Sequence, residues 1–232
     1  MVKTIRHRPQ LLPIEMIAIS GGTFLMGDFN QGKDEDALPL HPVTLPDFLI
    51  SKYEITYDQY DRYASLNGLK LPEDNSEGRS ERAVVNITWD EAREFCECNG
   101  MRLPTEPEWE YAARSAGQDQ VYPGTNYLFE VGEYIRHLDN SVQYSFYVGS
   151  KKPNLSGIFD MGGNVYEWIG NYYHQYPDPG NVPIWADFST DRMRIIRGGS
   201  FKTGAVANYS RVATFCDQRS TMIGFRCVKP VR

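Results

Sequence analysis

Three Thr-x-x-Gln/Glu tetrads, Thr56–Gln59, Thr88–Glu91 and Thr105–Glu108, each open a run that closes on a glycine. In such a capping box the threonine hydroxyl takes an orphan amide of the first helical turn, and the third residue on reaches back to the threonine amide. A glycine at the far end supplies a left-handed cap. The stops fall near Asn67-Gly68, at Asn99-Gly100 and at Gly117, so the chain is allowed three helices of a few turns each. In the second, Trp89, Ala92, Phe95 and Cys96 recur at helical spacing and predict a buried stripe; Trp109, Ala112 and Ala113 do so in the third. Elsewhere no such period is sustained, and 20 Gly and 14 Pro in 232 residues favour turns and short strands. The pattern predicts a single α+β domain over 14–232 with much irregular chain, preceded by a basic, proline-containing arm or linker at 1–13.

Ahead of the first helix, Met16–Gly27 reads as apolar run, Gly-Gly turn, apolar run, and predicts a hairpin or bent strand pair. Asp28–Pro42, acidic at Asp34, Glu35 and Asp36, predicts an exposed loop, and Val43–Ile55 a strand interrupted at Pro46. Polar residues at 69–86 and the stretch Pro177–Pro183 read as loops, and 118–150 as irregular chain. A net charge of −6 leaves no electrostatic footprint for nucleic acid or an anionic membrane. No apolar run approaches the roughly 20 residues that span a bilayer. The first 13 residues lack the apolar segment of a signal peptide. The expectation is a soluble chain without nucleic-acid partner or membrane span, cytoplasmic or associated with a phage or host surface.

Three Gly-rich signatures near the C-terminus, Gly157–Trp168, Arg194–Phe201 and Gly224–Val228, enclose a segment without evident pattern, Lys202–Ile223. Together with G-G-T-F-x-M-G (Gly21–Gly27), Tyr53–Thr56, W-D-E-A-x-x-F-C (Trp89–Cys96) and R-L-P-T-E-P-E-W-E-Y-A-A-R (Arg102–Arg114), they resemble the formylglycine-generating enzyme, or sulfatase-modifying factor, family. The likeness runs from about residue 14 to 229. It implies a C-type-lectin-like core: twisted antiparallel sheets, two or three short helices and much irregular chain. The family includes oxidases, sulfoxide synthases and ligand-binding proteins, among them the variable proteins of diversity-generating retroelements.

The oxidases hold copper with two cysteines shortly after R-G-G-S, soft thiolates suited to Cu(I). The matching places here are Thr203 and Asn208, so no copper is expected and the chain leans away from catalysis. A formylglycine-generating-type oxidase with an atypical site is the alternative. His7, His41, His137 and His174 are scattered and show no metal-ligand spacing. The resemblance also pairs Cys96 with Cys227, as buried thiols in a reducing compartment or as a disulfide in an oxidising one. It places a structural Ca²⁺ at Asn164 and Glu167, oxygen donors of the right hardness. The plainer reading is that Asn164 makes a turn and Glu167 a buried hydrogen bond. Trp168, Arg197 and Arg226 read as packing and ion pairing.

In retroelement variable proteins the ligand face is rewritten at adenines, so asparagine codons never become Lys, Gln, Glu, Met or Trp. Between Thr203 and Ile223 only Gln218 and Met222 are of those types. The candidates for a face that binds a protein or other macromolecule are Thr203, Ala205, Ala207, Asn208, Tyr209, Thr214, Phe215, Asp217 and Ser220. A face that tolerates rewriting carries little of the core, so these side chains are expected exposed on one surface, with Val212, Ile223 and Phe225 buried beneath. Tyr172, Tyr173, Tyr176 and Tyr209 are expected near it.

Overall fold

The computed structural model describes residues 11–30, 32, 34–141, 143–176 and 192–231. Residues 1–10 of the expected arm at 1–13, with His7, and the loop at 177–183 lie outside them.

All three capping boxes are closed in both directions, and they start α1 (Tyr57–Asn67), α2 (Trp89–Cys98) and α3 (Glu106–Ala113). Gly68 ends α1 with a left-handed backbone, φ 65°, while α2 caps on Asn99 ahead of Gly100. Helix α3 stops at Ala113, short of the expected Gly117. Gly117, φ 78°, closes the turn beyond it by donating its amide to Tyr111 O, while Ser115 N and Asn154 Nδ2 share Ala112 O and Asn154 Nδ2 also reaches Ala113 O at 3.3 Å. A short α4 (Val131–Tyr134) interrupts the otherwise irregular 118–150.

The strands form three sheets. β1 (Met16–Ile19), β4 (Phe48–Ser51) and β9 (Val228–Pro230) lie in the order β1-β4-β9, and β2 (Gly22–Met26) pairs with β3 (His41–Leu45). The largest sheet has the order β7-β6-β5-β8, from Arg211–Phe215, Met193–Arg197, Tyr166–Tyr172 and Ile223–Gly224. The expected pairing across Gly21-Gly22 is absent: β1 and β2 join different sheets. The chain passes there so close to the Leu45 carbonyl that a Cβ at Gly21 has no room. The break at Pro46 separates β3 from β4 as expected.

Strand alternation places β5 between two apolar clusters. Trp168 faces the first, with Phe95, Cys96, Phe225 and Cys227, and Ile169 the second, with Trp109, Phe48, Ile50 and Ile195. Cys96 and Cys227 form a disulfide, Cα atoms 5.9 Å apart, that fixes α2 to the C-terminal end. Arg82–Val85, expected in a polar loop, are buried. Among the described residues, no helix is long and apolar enough to cross a membrane.

Candidate ligand-binding face

Helix α3 carries three carboxylates inward, and two of them govern the segment after β6. Glu106 takes both nitrogens of the Arg211 fork at 2.8 Å, and Glu110 takes Arg197 and Arg114. All five side chains are fully buried. Arg197 also donates to backbone: Nη1 to Tyr209 O and Ser210 O, and Nη2 to Asn208 O. One buried guanidinium thus sets the path of 208–210, as charge-assisted bonds in a dry interior do. Gly198 and Gly199, φ 93° and 79°, turn the chain out of β6, with Gly199 so close to Val206 and Thr203 that a Cβ would collide.

The loop so held forms one wall of an open groove of about 850 Å³. Ala205, Ala207 and Tyr209 line it from this side; Asp28, Asp34 and Glu35 line it from the other. Tyr209 packs edge-on to Phe29 at 5.8 Å, and burial pushes its phenol up. Asp28 accepts from the amides of Asn30 and Asp34, which fixes the acidic wall. Among the described residues the groove's lining carries no lysine or arginine, and such an acidic wall suits a cationic ligand. The sequence shows Asp34-Glu35-Asp36 only as an exposed loop; nothing in it says that this loop faces residues 205–210.

Seven of the nine candidate positions fall into two patches rather than the one surface expected. Thr203, Ala205 and Ala207 are partly exposed, although the Thr203 hydroxyl is turned back on Ser200, accepting from its amide and donating to its carbonyl. Thr214, Phe215, Asp217 and Ser220 lie at the far end of β7, where Ser220 O accepts from Asn86 N and Asp217 pairs with Arg192 at 2.6 Å. This end adjoins a smaller cavity of about 250 Å³ lined by Tyr60, Glu91 and Arg219. Phe215 is 59% exposed, and Ile223 and Phe225 are buried, as expected. Three positions differ. Asn208 is 1% exposed, because its side chain is a tether: Nδ2 donates to Gln120 O and its own amide to Val121 O. Tyr209 is buried under the acidic wall. Val212 is 39% exposed, because β7 is an edge strand and this side of it is not covered. Of the tyrosines, Tyr173 and Tyr176 stack over the Arg211 guanidinium and Tyr172 over that of Arg194.

Asn164 and Glu167 do not converge on an oxygen-lined spot. Asn164 Oδ1 accepts from Phe146 N and its Nδ2 donates to Glu54. Glu167 is held by both ends of the Arg226 fork and by Trp109 Nε1. A cation at Glu167 would face a guanidinium already in place, so this arrangement does not fit Ca²⁺. Among the described residues, no group of three or more His, Cys, Asp or Glu could hold a metal ion. Beside this pair sit two further buried carboxyls. Burial raises Glu54 well above the usual range and Asp160 to about 6, against the pull of Arg226.

Residues 2–231 match the family model of the sulfatase-modifying factor enzyme 1-like domain. The chain is 29% identical to the serine/threonine-protein kinase Pkn1 of Chlamydia trachomatis, over 97% of this chain and 40% of the kinase. It is 28% identical to the formylglycine-generating enzyme of Thermomonospora curvata, over 96% of this chain and 95% of that protein. It thus spans about two fifths of the length of the chlamydial kinase it matches. Among solved structures, Treponema denticola variable protein 1 shares the architecture with TM-score 0.83 and 22% identity, over 97% of this chain and 98% of that one. The fold is the C-type-lectin-like α+β fold of formylglycine-generating enzymes.

Proposed function

Because the chain belongs to the sulfatase-modifying factor enzyme 1-like family, we propose that it is a ligand-binding member without catalysis, of the kind represented by retroelement variable proteins, with its ligand face in Lys202–Ile223. The observation that carries this reading is the open groove walled by Ala205, Ala207 and Tyr209, which offers contact area and has no thiol among its lining residues. The oxidases' two copper positions hold a threonine folded onto its own turn and an asparagine used as a tether. Neither side chain can supply a thiolate. A protein or peptide is the favoured ligand class, since the groove is open and its polar groups are spread along one wall.

The test has two arms. Peptides panned from a random display library against the protein are assayed on the wild type and on Ala205→Trp, which sets a bulky ring on the groove's wall. In parallel, oxygen uptake is measured with Cu(I) and a cysteine peptide. The expected result is that panned peptides lose at least about tenfold in affinity on Ala205→Trp, and that oxygen uptake stays at the level of copper alone. Enzyme-dependent oxygen uptake would establish the oxidase reading instead. Panned peptides indifferent to Ala205→Trp would move the ligand face elsewhere.

A further inference from the structure

Beside the groove, but outside Lys202–Ile223, three consecutive large apolar side chains stand in solvent: Tyr127, Leu128 and Phe129, the last 83% exposed. Single exposed apolar residues are ordinary; a contiguous cluster marks an interaction site. This cluster is preorganised. The Tyr127 and Phe129 rings stack with centroids 5.4 Å apart. Their base is held by side-chain hydrogen bonds: Val121 N donates to Asn126 Oδ1 at 2.7 Å, Asn126 Nδ2 to Asp119 O, Thr125 Oγ1 to Glu130 Oε2 at 2.6 Å, and Tyr127 N to Thr125 Oγ1. A tip held out by such a base loses little entropy on binding.

The tip is also joined to the groove. Tyr122 lines the groove and is bridged to Thr125, and Asn208 ties its own loop to Gln120 and Val121. Its surroundings carry an excess of carboxylates: Glu130 follows Phe129 directly and the groove wall carries Asp34 and Glu35, while Asp119, its side chain 82% exposed, is paired with the buried Arg114 at 2.9 Å. We propose that Tyr127-Leu128-Phe129 is a docking tip for a protein segment that presents an apolar face bordered by lysine or arginine. Charge complementarity selects that occupant. An anionic lipid surface is repelled by the same carboxylates, and a second copy brings a net charge of −6 to meet its like.

The probes are three amphipathic helical peptides with one leucine- and phenylalanine-bearing face and a polar face of lysine, serine or glutamate. Their binding is measured by fluorescence polarisation to the wild type, to Tyr127→Ser/Leu128→Ser/Phe129→Ser, and to Leu155→Ser, an exposed leucine elsewhere. Should the triple variant fail to fold, Phe129→Ser alone gives the same comparison. The expected result is that the lysine peptide binds about tenfold or more tighter than the glutamate peptide, weakens with added salt, and loses at least about tenfold on the serine variants but not on Leu155→Ser. Equal binding of the lysine and glutamate peptides, or indifference to the serine variants, overturns the proposal. So does tip-dependent pelleting with phosphatidylserine vesicles, or tip-dependent self-association in sedimentation. None of these outcomes bears on the Lys202–Ile223 face, which is read by Ala205→Trp.

Discussion

Arg197 ties α3 to residues 208–210 through one fully buried side chain. Replacing it by methionine leaves Glu110 with one cation fewer in a dry interior and releases three carbonyls of 208–210. Breaking one partner of a buried pair costs about 3–5 kcal/mol, so Arg197→Met is expected to lower urea-melt stability by that order; a change below about 1 kcal/mol would mean that the network carries little. Asp160 makes a second residue-scale prediction. Its carboxyl titrates near 6 in the fold against 3.8 when free. The native state therefore binds the proton more tightly than the unfolded chain. This contribution to stability is complete below the unfolded value and is lost as pH rises through about 6, with a slope of at most about 1 kcal/mol per pH unit. Asp160→Asn keeps an acceptor for Gly149 N and suits the left-handed backbone, φ 55°. Between pH 4 and 6 its Tm is expected to vary less steeply in that direction than the wild type's; identical profiles would show that Asp160 does not titrate there.

At the scale of elements, the threonine boxes were legible because capping is local: box and helix lie within four residues. The end of α3 was legible in part: Gly117 closes it locally on Tyr111 O, but the side-chain donor to Ala112 O comes from Asn154, far along the chain. Likewise the tether at Asn208 cannot be read from its own neighbours, since its partner is the carbonyl of Gln120. The rewriting rule counts asparagine as a variable residue; burial decides otherwise. This gives a contrast along one loop. Ala205→Ser and Ala207→Ser are expected to stay within about 0.5 kcal/mol of the wild type. Asn208→Leu, which leaves Gln120 O unpaired, is expected to cost about 1–3 kcal/mol. Chemical denaturation of the three variants checks it, and equal effects would remove the distinction between exposed wall and buried tether.

For the whole molecule, the motifs fixed the family likeness and with it the fold and the Cys96–Cys227 contact, because those motifs sit at Gly turns and buried ion pairs that the architecture requires. They could not show that Arg226 already occupies Glu167, so the calcium pairing with Asn164 did not follow. Calcium or chelator is accordingly expected to leave the Tm unchanged; a rise with calcium would restore an oxygen site. The central claim is that the fold is carried by buried networks beneath a face free to vary. Its most direct test is a display library randomised at Ala205, Ala207, Thr214, Phe215, Asp217 and Ser220, with Thr203 kept because its hydroxyl closes the Ser200 turn. The measured quantity is the fraction of members that remain folded by resistance to proteolysis. The account predicts that most do, and that members binding different target proteins can be sorted from them; a library in which most members unfold would contradict it.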